Sequence, residues 1–222
     1  MNKRINSIVN SKVRFKIKEL YPKFFHLEFE SQKDLTSTLI RFQEHYESPK
    51  FRGKIFSLDE FVSWYKTIKK GKFTYFTDWS GFNFPSTVLN PFQCGDFGQL
   101  TVREKTILRR LPKSGKFYVV ATHRNKNQSK DILVMRHELA HALFYLNPRY
   151  RKAALKILNK VKLKPIFKYL KSMGGYCSEV LLDEAHAYLM VDSLDLRDEG
   201  IKLKPYKKAI KKLNRLFDAT LG

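Results

Sequence analysis

The chain has 222 residues, enough for one large domain or two small ones, with 43% hydrophobic and 14% aromatic residues, which excludes a disordered chain. It carries 43 basic against 21 acidic residues, a formal charge of +22, so acidic partners, nucleic acid or anionic surfaces are favoured by long-range attraction. Two cysteines, Cys94 and Cys177, make no disulfide framework and fit a reducing compartment; with no signal peptide and no run long enough to span a membrane, a cytoplasmic location is expected.

Residues 1–30 read as strand-like. Val13, Phe15 and Ile17 alternate with Arg14, Lys16 and Lys18, and Phe25, Leu27 and Phe29 alternate with His26, Glu28 and Glu30. Tyr21-Pro22 between them predicts a hairpin. A helix is expected over 31–46, with Leu35, Leu39 and Phe42 on one side. A second starts at the capping box Ser57-Leu58-Asp59-Glu60 and runs to about Lys70, burying Phe61, Trp64, Tyr65 and Ile68. The stretch 73–98 is rich in aromatics, Gly, Asn and Pro. It reads as a loop whose aromatics serve either as core or as a substrate-binding lid. Thr101 and Glu104 form another capping box for a basic helix to Leu111. A strand follows at 117–122, then a polar loop at 125–130.

The helix 131–146 holds His137-Glu138-Leu139-Ala140-His141. Two His four residues apart share one helix face, so both imidazoles can reach one metal ion while Glu138 points along the flank. Ser129 is placed to cap this helix and Asn147-Pro148 to end it. Leu133, Val134, Ala140 and Phe144 stand at helical neighbour positions of His137, and burying two imidazoles and a carboxylate there is costly without a partner. Further helices are expected at 150–159, at 165–172 ending in Met173-Gly174-Gly175, and from a Ser178 cap through Val191. A connector at 196–204 leads to a terminal amphipathic helix, 205–216.

Zinc needs a third protein ligand. Glu184 has Val180, Leu181, Ala187, Tyr188 and Val191 around it, an acid in an apolar stripe, and is the choice; Glu179, on a more polar face, is the alternative. Asp183 and His186 are candidates for orienting a ligand imidazole. Tyr188, His186, His123 and Tyr145 are candidate oxyanion donors. The basic residues between Arg149 and Lys171, and between Lys202 and Arg215, read as solvated helix faces opposite Tyr206, Ile210, Leu213 and Phe217, or as a surface for an acidic partner or nucleic acid.

The His137–His141 motif followed by Asp183-Glu184-Ala185-His186-Ala187-Tyr188 resembles the gluzincin branch of the zincin metallopeptidases, over roughly 117–191. It lacks the Gly and third His of metzincins and the Asn-Glu signature of thermolysin-type members. The resemblance implies an α+β fold: a mostly helical zincin-like domain with a small sheet whose edge strand precedes the metal helix and takes substrate backbone as an added strand. It implies one Zn(II) per chain held by His137, His141 and Glu184, with Glu138 as general base acting on a peptide or protein substrate. The expected division is an α+β region at 1–112 packing on a metal-binding region at 113–222 with basic C-terminal helices, the alternative being one continuous domain. The alternative function is a basic nucleic-acid-binding protein whose metal motif is structural or fortuitous.

Overall fold

A computed structural model describes residues 3–124, 128–173 and 176–221, apart from the side chains of Arg4, Gln128, Ser129, Lys130 and Asp131. The expected Ser129 cap and the Gly174-Gly175 break lie outside what is described. The fold is α+β: helices with one small four-stranded mixed sheet. By the density of its contacts the chain divides into Met1–Tyr46 with Phe51–Asn127, and Glu47–Lys50 with Gln128–Gly222.

The first unit begins with α1 (Lys3–Val9), which was expected to be extended; Ile5 and Val9, four apart, are buried on one helix face. The hairpin follows as β1 (Phe15–Tyr21) and β2 (Phe24–Phe29), antiparallel, with Phe15 opposite Phe29. Its turn places Lys23 at φ 68°, the left-handed region. Next come α2 (Gln32–Glu47) and α3 (Leu58–Ile68), and the Ser57 capping box is made in both directions: Ser57 Oγ accepts from Glu60 N and Glu60 Oε2 accepts from Ser57 N.

The aromatic segment is not a loop. It forms α4 (Tyr75–Asp78), β3 (Gly81–Pro85), a 3₁₀ turn and α5 (Asn90–Gln93). Phe82, Phe84 and Phe92 are buried, and Phe42 packs against both Phe84 and Phe92. These rings are core, which removes the lid reading. Helix α6 (Val102–Arg110) starts at the Thr101–Glu104 box as the pattern predicts.

Strand β4 (Tyr118–His123) corrects a second expectation. The sheet order is β1-β2-β4-β3, with β4 parallel to β2 on one side and antiparallel to β3 on the other. It is therefore an interior strand, and its backbone groups are committed to two neighbours. It cannot add a substrate strand, because that mode needs an unpaired edge. Its run of four buried residues, Tyr118 to Ala121, is what a strand covered on both faces requires. By its pairing β4 belongs with the first unit, so the division falls after it and not near residue 112.

The second unit is helical: α7 (Gln128–Leu146), α8 (Pro148–Leu158), α9 (Lys164–Ser172), α10 (Leu181–Met190), α11 (Ser193–Asp198) and α12 (Lys207–Leu221). The short α11 falls partly in what reads as a connector. Asn147 ends α7 and caps α8, accepting from Tyr150 N at 3.0 Å. Ser178 does not cap α10: that helix starts at Leu181 after Val180, and Ser178 Oγ donates to Glu179 Oε2 instead. Helices α7 and α10 pack through a core containing Ala140, Ala185 and Ala187, all fully buried. Small side chains let the backbones approach, which brings the residues beside them, His141 and Glu184, face to face. Among the described residues no helix is long and apolar enough to cross a membrane.

Candidate metal centre

His137 and His141 lie one turn apart on α7, and Glu184 is on the first turn of α10. The two Nε2 atoms are 3.1 Å apart; His137 Nε2 is 3.8 Å from Glu184 Oε2 and His141 Nε2 is 3.6 Å from Glu184 Oε1. A tetrahedral ion with bonds of about 2.0–2.1 Å holds its donors roughly 3.3 Å apart. The observed distances, which end on different oxygens of Glu184, lie around that value, so the three side chains stand at about the separation a small divalent cation needs. Among the described residues these three form the group able to hold a metal ion.

The other ring nitrogens are backed by carboxylates. His137 Nδ1 is hydrogen-bonded to Asp192 Oδ2. His141 Nδ1 faces Asp183 Oδ2 at 3.1 Å, a contact too bent for a full hydrogen bond. A carboxylate at Nδ1 favours the tautomer with the proton there, leaving the Nε2 lone pair directed into the triangle. Two lone pairs and a carboxylate pointed at one place repel each other. Glu184 Oε2 is buried with no hydrogen-bond partner. A cation placed there would satisfy all three groups together.

The electrostatics give the same picture. Burial pushes the Glu184 carboxyl well above the usual range, and the charges of Glu47, Asp183, Glu138 and Asp192 push it further. Burial alone would lower the His137 imidazole, but the hydrogen bond and charge of Asp192, with Glu138 and Asp183 behind them, raise it. Burial would raise Asp183; the imidazoles of His141 and His186 outweigh it and hold that carboxyl down at about 2. In a chain of net charge +22, five acids gather at one spot, which is a strong local attraction for a cation.

A further layer holds Asp183. Tyr150, at the start of α8, donates its hydroxyl to His186 Nε2 at 2.7 Å, and His186 Nδ1 turns toward Asp183 Oδ1 at 3.8 Å. Phe144 stacks on the His186 ring. Burial lowers the His186 imidazole and so keeps it neutral, as an acceptor from Tyr150 must be. His186 is fully enclosed behind Asp183, the position of a support and not of an oxyanion donor.

Of the other sequence candidates, Tyr188 stands with its ring edge-on to His137 at 5.3 Å and its hydroxyl toward Met173 Sδ. Burial raises its hydroxyl, as does the charge of Glu184. Glu179 is exposed and outside the triangle, whereas Glu184 is 2% exposed. Tyr145 lies one turn beyond His141 and is half-buried. His123 belongs to the first unit, its Nδ1 against the carbonyl of Arg124. Leu133 does not shield His137, being 50% exposed; the shielding comes from α10 through Tyr188.

Sequence reading missed Asp192, Glu47, Tyr150 and Tyr176. Asp192 stands four and eight residues beyond Tyr188 and Glu184, one helix face continued past the end of α10, and that spacing was a usable signal. Tyr176 is raised by burial and then by the charge of Glu184. Glu47 comes from the end of α2, its carbonyl accepting from Cys177 N at 2.9 Å; no local pattern links it to Glu184. Replacing Asp192 by Asn is expected to weaken divalent-metal affinity about 10- to 100-fold, as losing a carboxylate behind a ligand imidazole does. Competition titration with a chromogenic chelator measures it, and unchanged affinity would remove Asp192 from the site.

The chain matches no protein-family model, and comparison with curated proteins and with solved structures finds no match.

Proposed function

We propose that the chain is a zinc-dependent metallopeptidase of gluzincin type, hydrolysing peptide bonds of a peptide or protein substrate. The observation that carries the proposal is the donor triangle of His137, His141 and Glu184, each imidazole backed by a carboxylate, with a fourth acid, Glu138, buried beside it and not needed as a donor. Structural zinc sites close with four protein ligands; catalytic ones use three and keep a position open. The described residues supply three. Two imidazoles and a carboxylate suit zinc among the available divalent metals.

Bound there, zinc would supply Lewis acidity toward water and toward a scissile carbonyl. The chain's own residues do the rest. Asp192 holds the His137 imidazole by a hydrogen bond; Asp183 acts on His141 by its charge, with His186 and Tyr150 packed behind it. The Glu138 carboxylate takes the proton from the attacking water and delivers it to the leaving amine nitrogen. Tyr188, packed edge-on against His137, would have to turn its hydroxyl from Met173 Sδ to donate to charge developing on the carbonyl oxygen. Two free cysteines fit work in a reducing compartment.

The test is elemental analysis of the purified chain together with cleavage of a fluorogenic peptide library. We expect about one zinc per chain, lost in His141→Ala and in Glu184→Ala, and cleavage that stops on chelation and returns with zinc. A parent protein that binds no divalent metal at stoichiometric level ends the proposal.

A further inference from the structure

The second unit carries a cationic surface that the metal centre does not use. It is built from two connectors, the turn between α8 and α9 and the segment leading into α12. In each, apolar and basic residues alternate. Val161, Leu163, Ile201 and Leu203 pack against the core, so Lys160, Lys162, Lys164, Lys202 and Lys204 between and beside them are all exposed. Tyr206, buried, ties the connectors together by donating its hydroxyl to the Lys162 carbonyl at 2.7 Å, and exposed Lys207 follows it. The pattern is thus a consequence of packing: fixing the apolar residues inward fixes the lysines outward, side by side.

Within the two connectors there is no acid, and exposed Glu199 stands just before the second. No acid occurs between Arg149 and Ser178 or between Gly200 and Phe217. Asp198, which precedes the second connector, is engaged with Arg197. Among the described residues none of the six lysines is in an ion pair. Lys160, Lys162, Lys202 and Lys204 lie outside the α-helices, so a solvated helix face alone does not account for the cluster.

We infer that this six-lysine surface binds the phosphate backbone of nucleic acid without reading its sequence. The inference stands independently of the metal centre. Lysines are point charges that suit a regular array of phosphates, and contacts to phosphate carry no sequence information. An anionic membrane is the less fitting polyanion: surface-lying membrane segments insert large apolar side chains, and among the described residues neither connector exposes one.

The experiment is fluorescence anisotropy of the full-length chain with a labelled 20-nucleotide single strand of mixed sequence, at several salt concentrations. We expect binding that weakens steeply with salt. Lys160→Gln, Lys162→Gln and Lys204→Gln combined should weaken it at least about tenfold and flatten the log–log salt slope by about 2, since each single-strand phosphate contact contributes about 0.7. A control losing the same charge elsewhere, Lys72→Gln, Lys105→Gln and Lys113→Gln, should stay within about twofold, with both variants melting at the parent temperature. Equal losses in the two triple variants would show diffuse charge and overturn the inference. So would absence of oligonucleotide binding, or binding to phosphatidylserine vesicles alone with the same dependence on Lys162.

Discussion

Glu138→Gln is expected to keep one metal ion per chain and the parent fold while lowering peptide hydrolysis by about a hundredfold to ten-thousandfold, the range for removing a general base. The substitution is nearly isosteric, and Glu138 is not one of the three donors, so the triangle of His137, His141 and Glu184 keeps its members. The amide cannot accept the proton from water. Glu138 is also close enough for its charge to act on both His137 and Glu184, so it is within reach of the chemistry. The measurement is kcat on a cleaved peptide, paired with metal content on the same sample. Retained zinc with kcat within about threefold of the parent would take the base role from Glu138; lost zinc would make it structural.

The largest expected effect on stability lies in the first unit. Arg41 on α2 binds Glu104 on α6 in a two-pronged pair, Nε to Oε1 at 2.7 Å and a terminal guanidinium nitrogen to Oε2 at 2.6 Å, with side chains only 4% and 2% exposed. The guanidinium also lies over Phe97 and Phe92. Glu104 is at the same time the capping-box acid of α6, accepting from Thr101 N at 2.8 Å. Arg41→Met leaves that carboxylate buried without its counter-ion, which costs roughly 3–5 kcal/mol. For a domain whose total stability is about 5–15 kcal/mol, this is a large fraction. Adding Glu104→Gln should recover part of the loss, because no charge is then stranded and the cap remains. Both tryptophans, Trp64 and Trp79, lie in the first unit, so their fluorescence during urea unfolding reports on it. A cost below about 1 kcal/mol for Arg41→Met would mean water reaches the pair.

What could be read from the chain alone divides along a physical line. Features set by neighbours within one or two turns were legible: both capping boxes, the β1–β2 hairpin, the His137–His141 spacing on one helix, and the burial of Glu184, an acid in an apolar stripe. Features set by distant partners were not. The segment from Gly81 to Pro85 has the composition of a loop and becomes a strand because β4 pairs with it. That pairing in turn made β4 interior and removed the expected substrate edge. Glu47 reaches the neighbourhood of Glu184 across more than a hundred residues of sequence, and Tyr150 reaches Asp183 through His186.

Residues Glu47–Lys50 cluster with the helical unit although the rest of that unit begins at Gln128. The half that holds the three candidate donors is therefore discontinuous along the chain. A fragment starting at Gln128 would retain all three donors yet lose the carbonyl that anchors Cys177 and one of the acids that load Glu184 with negative potential. Cutting the gene at that point removes a piece of the half it is meant to isolate, so minimal versions of this protein need a graft of the 47–50 turn or the whole polypeptide.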